Sequence, residues 1–345
     1  MIGRGLFYPG AIALGIALAP PAAAQAPAAA PQPTHDPSFW TVQGENDSVS
    51  LGTKAVTDKY YTSGLRIGWT SPVRLVPETM KGLATTLWGQ GETRLSVDLT
   101  HQIYTPSATQ RRNPPLGDRP YAGVLMAHFG LLQDGKTQTG YDIRSALVLG
   151  LGVVGPAGGG ENIQNSFHEL LGQRPARGWA TQLRNEPLVQ VTSERTWRIP
   201  IGSLGPIEAD WLPSLTASVG NLRAYLQSGV MVRIGGNLKA DYGPTRLRPG
   251  VTGGDHYASP APLAWYLFAA ADGRAVAHDV TLDGNTWATS RSVRKEPLVG
   301  EFSAGLGLIF HGVRLTYVHR FQTQEFRNQR AGLHQTGSLA LTVRF

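Results

Sequence analysis

The chain ends on "GSLALTVRF", and the period of that segment restricts the fold more than any other feature. Leu339, Leu341, Val343 and Phe345 alternate with Ala340, Thr342 and Arg344. Successive side chains of a strand point to opposite faces, so one face here is apolar and the other small or polar. The same alternation recurs in "RLSVDLTHQIY", where Leu95, Val97, Leu99 and Ile103 oppose Ser96, Asp98, Thr100 and Gln102. In "GVRLTYVHRF", Val313, Leu315, Tyr317 and Phe321 oppose Arg314, Thr316 and Arg320. Burying Asp98 and these arginines in a dry core would be costly. An outer-membrane barrel resolves the conflict, because its apolar face meets lipid and its polar face lines the lumen. A terminal Phe within the last strand is also similar to the end of such barrels.

The pattern predicts an all-β, closed antiparallel outer-membrane β-barrel of about 12 strands, an even count as bacterial barrels require. The strands are expected near 38–46, 60–70, 93–104, 120–133, 141–154, 186–199, 205–219, 222–235, 262–282, 296–310, 312–326 and 334–345. Tight turns fit at "DG" (134–135) and "HG" (311–312). With both termini at the periplasmic end, 47–59, 105–119, 155–185, 220–221, 283–295 and 327–333 connect strands at the outer end. Two inner connections, 71–92 and 236–261, are longer than the short turns expected there.

The N-terminus sets the route. "MIGRGLFYPGAIALGIALAPPAAAQA" carries Arg4, then an apolar run, then small residues, the order of a secretory signal peptide. Residues 1–24 are read as that leader, 25–37 as a flexible Pro/Ala-rich N-terminus and 38–345 as the barrel. The absence of cysteine among the 345 residues excludes disulfides, thiolate metal sites and cysteine nucleophiles. The net charge of +7 suits phosphate-bearing partners. Such partners include nucleic acid and anionic lipid, and the plain reading is a scattered basic surface; no long Lys/Arg block marks a nucleic-acid tail, and no nucleic-acid partner is expected.

Polar clusters gather at the outer end. Glu45, Asn46 and Asp47 close the first strand, and Thr62 opens the second. Arg111 and Arg112 lie above the third. "GPAGGGENIQNSFHEL" follows the fifth, and its glycines precede a short helix on which Gln164 and His168 share a face. Each has a plain structural reading. Asn-Asp pairs form turns, a histidine on a short helix is often structural, a strand Thr needs no function, and arginines solvate or touch headgroups. Convergence of four segments on one end is what a site requires.

The segments "END…TDKYYTSG", "QIYTPS", "GDRPYAG", "GPAGGGENIQNSFHELLG" and "GWATQLRNE", in that order, resemble the outer-membrane lipid A 3′-O-deacylases over nearly the whole mature chain. The resemblance implies hydrolysis of the 3′-linked acyloxyacyl ester of lipid A at the outer leaflet, with a divalent cation, typically Ca2+. It implies catalytic roles for Asn46, Thr62, Gln164 and His168, with Asp47 on the metal. His168 would activate water. Arg111 stands where the family has a lysine, and with Arg112 it would hold a lipid A phosphate. A family acidic position falls on Arg174. A monomer is expected, with lipopolysaccharide and membrane lipid as partners. The rival readings are an outer-membrane phospholipase using a serine (Ser48, Ser63 or Ser166) and a non-enzymatic barrel.

Overall fold

The computed structural model describes residues 36–48, 58–244, 255–258 and 261–345. The expected leader and residues 25–35 lie outside them. Twelve antiparallel strands close on themselves, each bonded to its chain neighbours and β1 to β12. They are β1 (Phe39–Asn46), β2 (Tyr60–Thr70), β3 (Gly91–Thr105) and β4 (Ala122–Lys136). β5 (Asp142–Val154), β6 (Glu186–Leu204), β7 (Ile207–Gly220) and β8 (Arg223–Gly236) follow. β9 (Leu263–Asp279), β10 (Leu298–Phe310), β11 (Val313–Gln322) and β12 (His334–Arg344) complete the wall. Two eleven-residue helices lie in connections: α1 (Glu78–Trp88) between β2 and β3, and α2 (Gly160–Leu170) between β5 and β6.

Alternation became wall geometry. Val97, Leu99, Leu315, Leu339 and Leu341 are exposed on the outer face, while Asp98, Arg314, Thr316, Arg320 and Thr342 are buried in the lumen. The lumen charges are paired. Arg66 Nε donates to Asp98 at 2.7 Å, Arg233 Nη1 to Asp241 at 2.7 Å, and Arg314 Nη2 to Asp255 at 2.8 Å. Arg66 also contacts Asp255. Arg66 and Arg314 share Asp255, and Arg233 and Arg314 share Asp241, so these charges form one buried network.

Asp241 and Asp255 come from the long inner connection after β8. Of its described residues, Tyr257 lies at the terminal end of the lumen, where it packs with Phe39, Ala264 and Ile309. The other long connection holds α1. The unexpected lengths therefore carry structure of their own, and the count of twelve stands.

His311 (φ 46°) and Gly312 (φ 80°) form the expected tight turn. The "DG" turn does not form. β4 runs on through Asp134 and Gly135, and the reversal falls at 137–141 with Gly140 at φ 86°. Asp134 stands opposite Arg144 in the β4–β5 ladder and accepts from its Nε at 2.7 Å. That ion pair extends the hairpin beyond the point where turn chemistry alone would close it.

Candidate active site

α2 is an inverted helix. Its buried face is Gly160, Gln164 and His168, and its exposed face carries Ile163, Phe167 and Leu170. Polar groups press on the barrel and apolar groups face outward, the arrangement a lipid surroundings favours. The glycine run makes this contact possible. Gly159 begins the helix at φ 70°, which an L side chain rarely adopts. A Cβ on Gly158 would stand 2.2 Å from the Gly123 carbonyl oxygen, so only glycine lets the chain lie against β4. His101 Nε2 bonds the Gly158 carbonyl at 2.8 Å and pins the turn.

Two contacts orient the helix's polar pair. Trp179, fully buried, donates through Nε1 to Gln164 Oε1 at 2.9 Å. Indole N–H can only donate, so the Gln164 amide nitrogen is the group left over, and it is buried without a partner. His168 Nδ1 lies 2.9 Å from the Arg174 carbonyl, which can only accept, so Nδ1 carries a hydrogen. The other nitrogen, Nε2, lies 2.6 Å from Asp58 Oδ2. Because the Arg174 contact is made by backbone, replacing an acidic side chain there leaves this anchor intact.

The wall supplies the rest. Asn46 faces outward at the end of β1. A β-bulge between Tyr61 and Ser63 inserts Thr62 as an extra residue, the device by which sheets re-aim side chains at rims and sites. Thr62 Oγ1 lies 2.8 Å from Thr105 Oγ1. Asn46 Oδ1 accepts from the Ser48 N–H at 2.7 Å, so the turn-forming role is real as well. Asp47 continues the ladder through its N–H to the Thr62 carbonyl at 3.1 Å. Its Oδ2 accepts from the Lys59 N–H at 2.9 Å, and its buried Oδ1 has no partner. Burial, first of all, holds the Asp47 carboxyl well above the ordinary carboxylate value, and the charge of Asp58 adds to this against the opposing Lys59 N–H.

Asn46, Thr62, Gln164 and His168 line one cavity of about 570 Å³, with Asp58, Ser48 and Ser63. Its remaining wall includes Leu65, Leu339, Ile163, Phe167 and Leu171, all exposed on the outer face of barrel and helix. The cavity thus opens sideways, toward lipid, along this apolar side. It sits at the end where β1 finishes, opposite the end where Phe345 pairs with Ser38. Arg111 and Arg112 are exposed and lie outside this cavity, on the loop whose Arg111 carbonyl abuts Gly178 beside Trp179. Asp58 is the residue the sequence reading missed. It stands in the quoted "TDKYYTSG", but a loop position without periodicity gives no sign of which way its side chain points.

Fold and pocket together define an outer-membrane β-barrel with a membrane-facing polar site on its outer wall. The chain belongs to the outer membrane protein LpxR family, whose model matches residues 11–345. Among solved structures, LpxR from Salmonella typhimurium aligns with a TM-score of 0.72 and 22% identity, covering 89% of this chain and 100% of that one. The β domain of the Bordetella autotransporter BrkA aligns with a TM-score of 0.45 and 12% identity, over 90% and 99% of the two chains. No match was found among curated proteins.

Proposed function

We propose that the protein hydrolyses the 3′-linked acyloxyacyl ester of lipid A in the outer leaflet. Family membership supports a lipid A-modifying role at the outer membrane. The observation that carries the finer reading is the cavity: an imidazole–carboxylate pair and an unpartnered amide donor converge on a space open to lipid. The ester enters from the membrane with its acyl chain along Phe167, Leu171 and Leu339. Asp58 gives up its contact with Nε2, water attacks the carbonyl carbon, and His168 Nε2 takes the water proton while the Arg174 carbonyl keeps hold of Nδ1–H. The Gln164 amide donates to the carbonyl oxygen as negative charge develops there. Collapse breaks the ester C–O bond, and the proton passes to the departing sugar oxygen. The products are a free fatty acid and a sugar hydroxyl.

A hard divalent cation such as Ca2+ fits the oxygen-only donors beside this pair, since Asp47 Oδ1 is buried and unpaired. Asp47 would hold it, with the Asn46 and Thr62 oxygens assisting. When bound it would neutralise Asp47 and polarise the ester carbonyl. Among the described residues no three His, Cys, Asp or Glu side chains converge as a metal cluster, so neutral oxygens would complete the shell. Arg111 and Arg112, outside the cavity, suit a phosphate of the sugar headgroup.

Ser48 and Ser63 line the cavity, but the two ring nitrogens of His168 meet Asp58 and the Arg174 carbonyl, not a serine. Mass spectrometry of lipid A and phospholipids from expressing cells separates the readings. Loss of the 3′ acyl group with phospholipids intact is the expected result. Lysophospholipid accumulation with intact lipid A would overturn it.

A further inference from the structure

On the outer wall, the β3–β4 ladder can be followed pair by pair. Val97 and Phe129 face each other and are exposed. The next two outward pairs toward the terminal end are Leu95–Leu131 and Thr93–Gln133. Leu131 is only 6% exposed, Thr93 3% and Gln133 2%, although they point out of the barrel. α1 covers them, packing on β3 and β4. Its C-terminal end is tied to the same wall. Gln133 Nε2 donates to the Gly89 carbonyl at 3.1 Å, and Arg195 of β6 donates to the Leu87 carbonyl at 3.3 Å.

The helix is thus fastened outside the barrel, with Ala84 buried beneath it. Leu83 and Leu87, one turn apart, lie on one flank and are 41% and 42% exposed. Glu78 and Thr85 fall on the opposite flank and are exposed. The covered pairs lie next to the exposed apolar residues Val97, Leu99 and Phe129 of the same strands.

The other end of the same ladder is covered by α2, which buries the Ile103–Gly123 pair. From Thr93 to Ile103 is ten residues, about 33 Å along a strand. At a tilt of about 40° this is about 25 Å along the membrane normal, the height of an outer-membrane apolar band.

We propose that α1 is an interfacial helix seated in the inner leaflet, its Leu83–Leu87 flank in phospholipid acyl chains and its Glu78–Thr85 flank toward the periplasm. With α2 it brackets the lipid band, so α1 fixes the height at which the cavity meets the outer leaflet. The absence of cysteine from the chain makes the test direct. Leu83→Cys, Leu87→Cys, Thr85→Cys and, as a lipid-facing reference, Val97→Cys are each labelled with an environment-sensitive fluorophore. The folded barrels are placed in phosphatidylcholine–phosphatidylglycerol vesicles with or without bromine on the upper acyl carbons. Labels at 83 and 87 are expected to lose about half their emission or more in brominated lipid, as at 97. The label at 85 should respond mainly to aqueous iodide. Equal iodide quenching at 83, 85 and 87, with no effect of bromine at 83 and 87, would overturn the proposal. The readout involves no hydrolysis, so it stands or falls apart from the deacylase reading.

Discussion

Two helices of equal length lie on one lipid-facing wall, yet they bury opposite kinds of group. α1 covers Leu131 and Thr93 with a small apolar contact at Ala84 and leaves no described polar side chain stranded beneath it. α2 presses Gln164 and His168 inward, and the Gln164 amide it carries lacks a partner. Buried polar groups are normally satisfied, and a stranded one costs about 1–3 kcal/mol. A helix kept only to cover the wall would not retain that cost. The contrast matches the two proposed roles, one helix to seat the barrel and the other to aim chemistry.

The strongest way to sharpen the contrast is His168→Asn, and with it His168→Ala. Loss of a general base costs about 10²–10⁴ in rate. Each should remove most 3′-deacylation while leaving a heat-stable barrel, whereas Leu83→Cys on α1 should change detergent-micelle activity less than about twofold. A folded His168→Asn protein with near wild-type turnover would erase the distinction.

Asp58→Asn comes next. It keeps the shape but removes the charge that stabilises the imidazolium, and a hydrogen bond to a charged group is worth about 10- to 100-fold. The loss should appear in kcat with little change in KM. A loss confined to KM would make Asp58 a substrate contact.

Protons give the third comparison. The folded value of Asp47 lies above its unfolded one, so cation-free protein holds a proton that the unfolded chain has released. Its stability therefore falls as pH rises through the raised value. A cation competes with that proton, so its half-saturating concentration should rise up to about tenfold per pH unit on the acid side. Asp47→Asn should flatten this dependence, and a slope unchanged in that variant would remove Asp47 from the cation's shell.

The smallest effect is expected outside the cavity. Arg111→Ala should weaken use of bis-phosphorylated lipid A by about tenfold, the scale of one charge-assisted hydrogen bond. A substrate lacking that phosphate should be little affected. Equal losses on both would mean that Arg111 only supports the loop beside Gly178.

Wall residues were legible because each has just two surroundings, lipid or lumen, and Leu339, Thr342, Asp98 and Arg314 fall where their polarity sends them. The Gln164–His168 face was legible from helical spacing. Three features were not. The hairpin past Asp134 depends on Arg144 across the ladder, ten residues on. Asp241 and Asp255 look like ordinary loop acids until Arg233 and Arg314 are seen opposite them. Asp58 reaches His168 across 110 positions of chain, a distance no local pattern spans.

The sideways mouth of the cavity changes the kind of search its substrate makes. A lipid reaching Phe167 and Leu339 diffuses in two dimensions and never leaves the bilayer. Drawing an acyl chain into water costs about 0.8 kcal/mol for each methylene, or about 8 kcal/mol for ten. A mouth facing the aqueous side would add that extraction to the barrier before any bond was attacked. Here the chain slides from one apolar surface to another, and only the ester and the sugar need to be recognised.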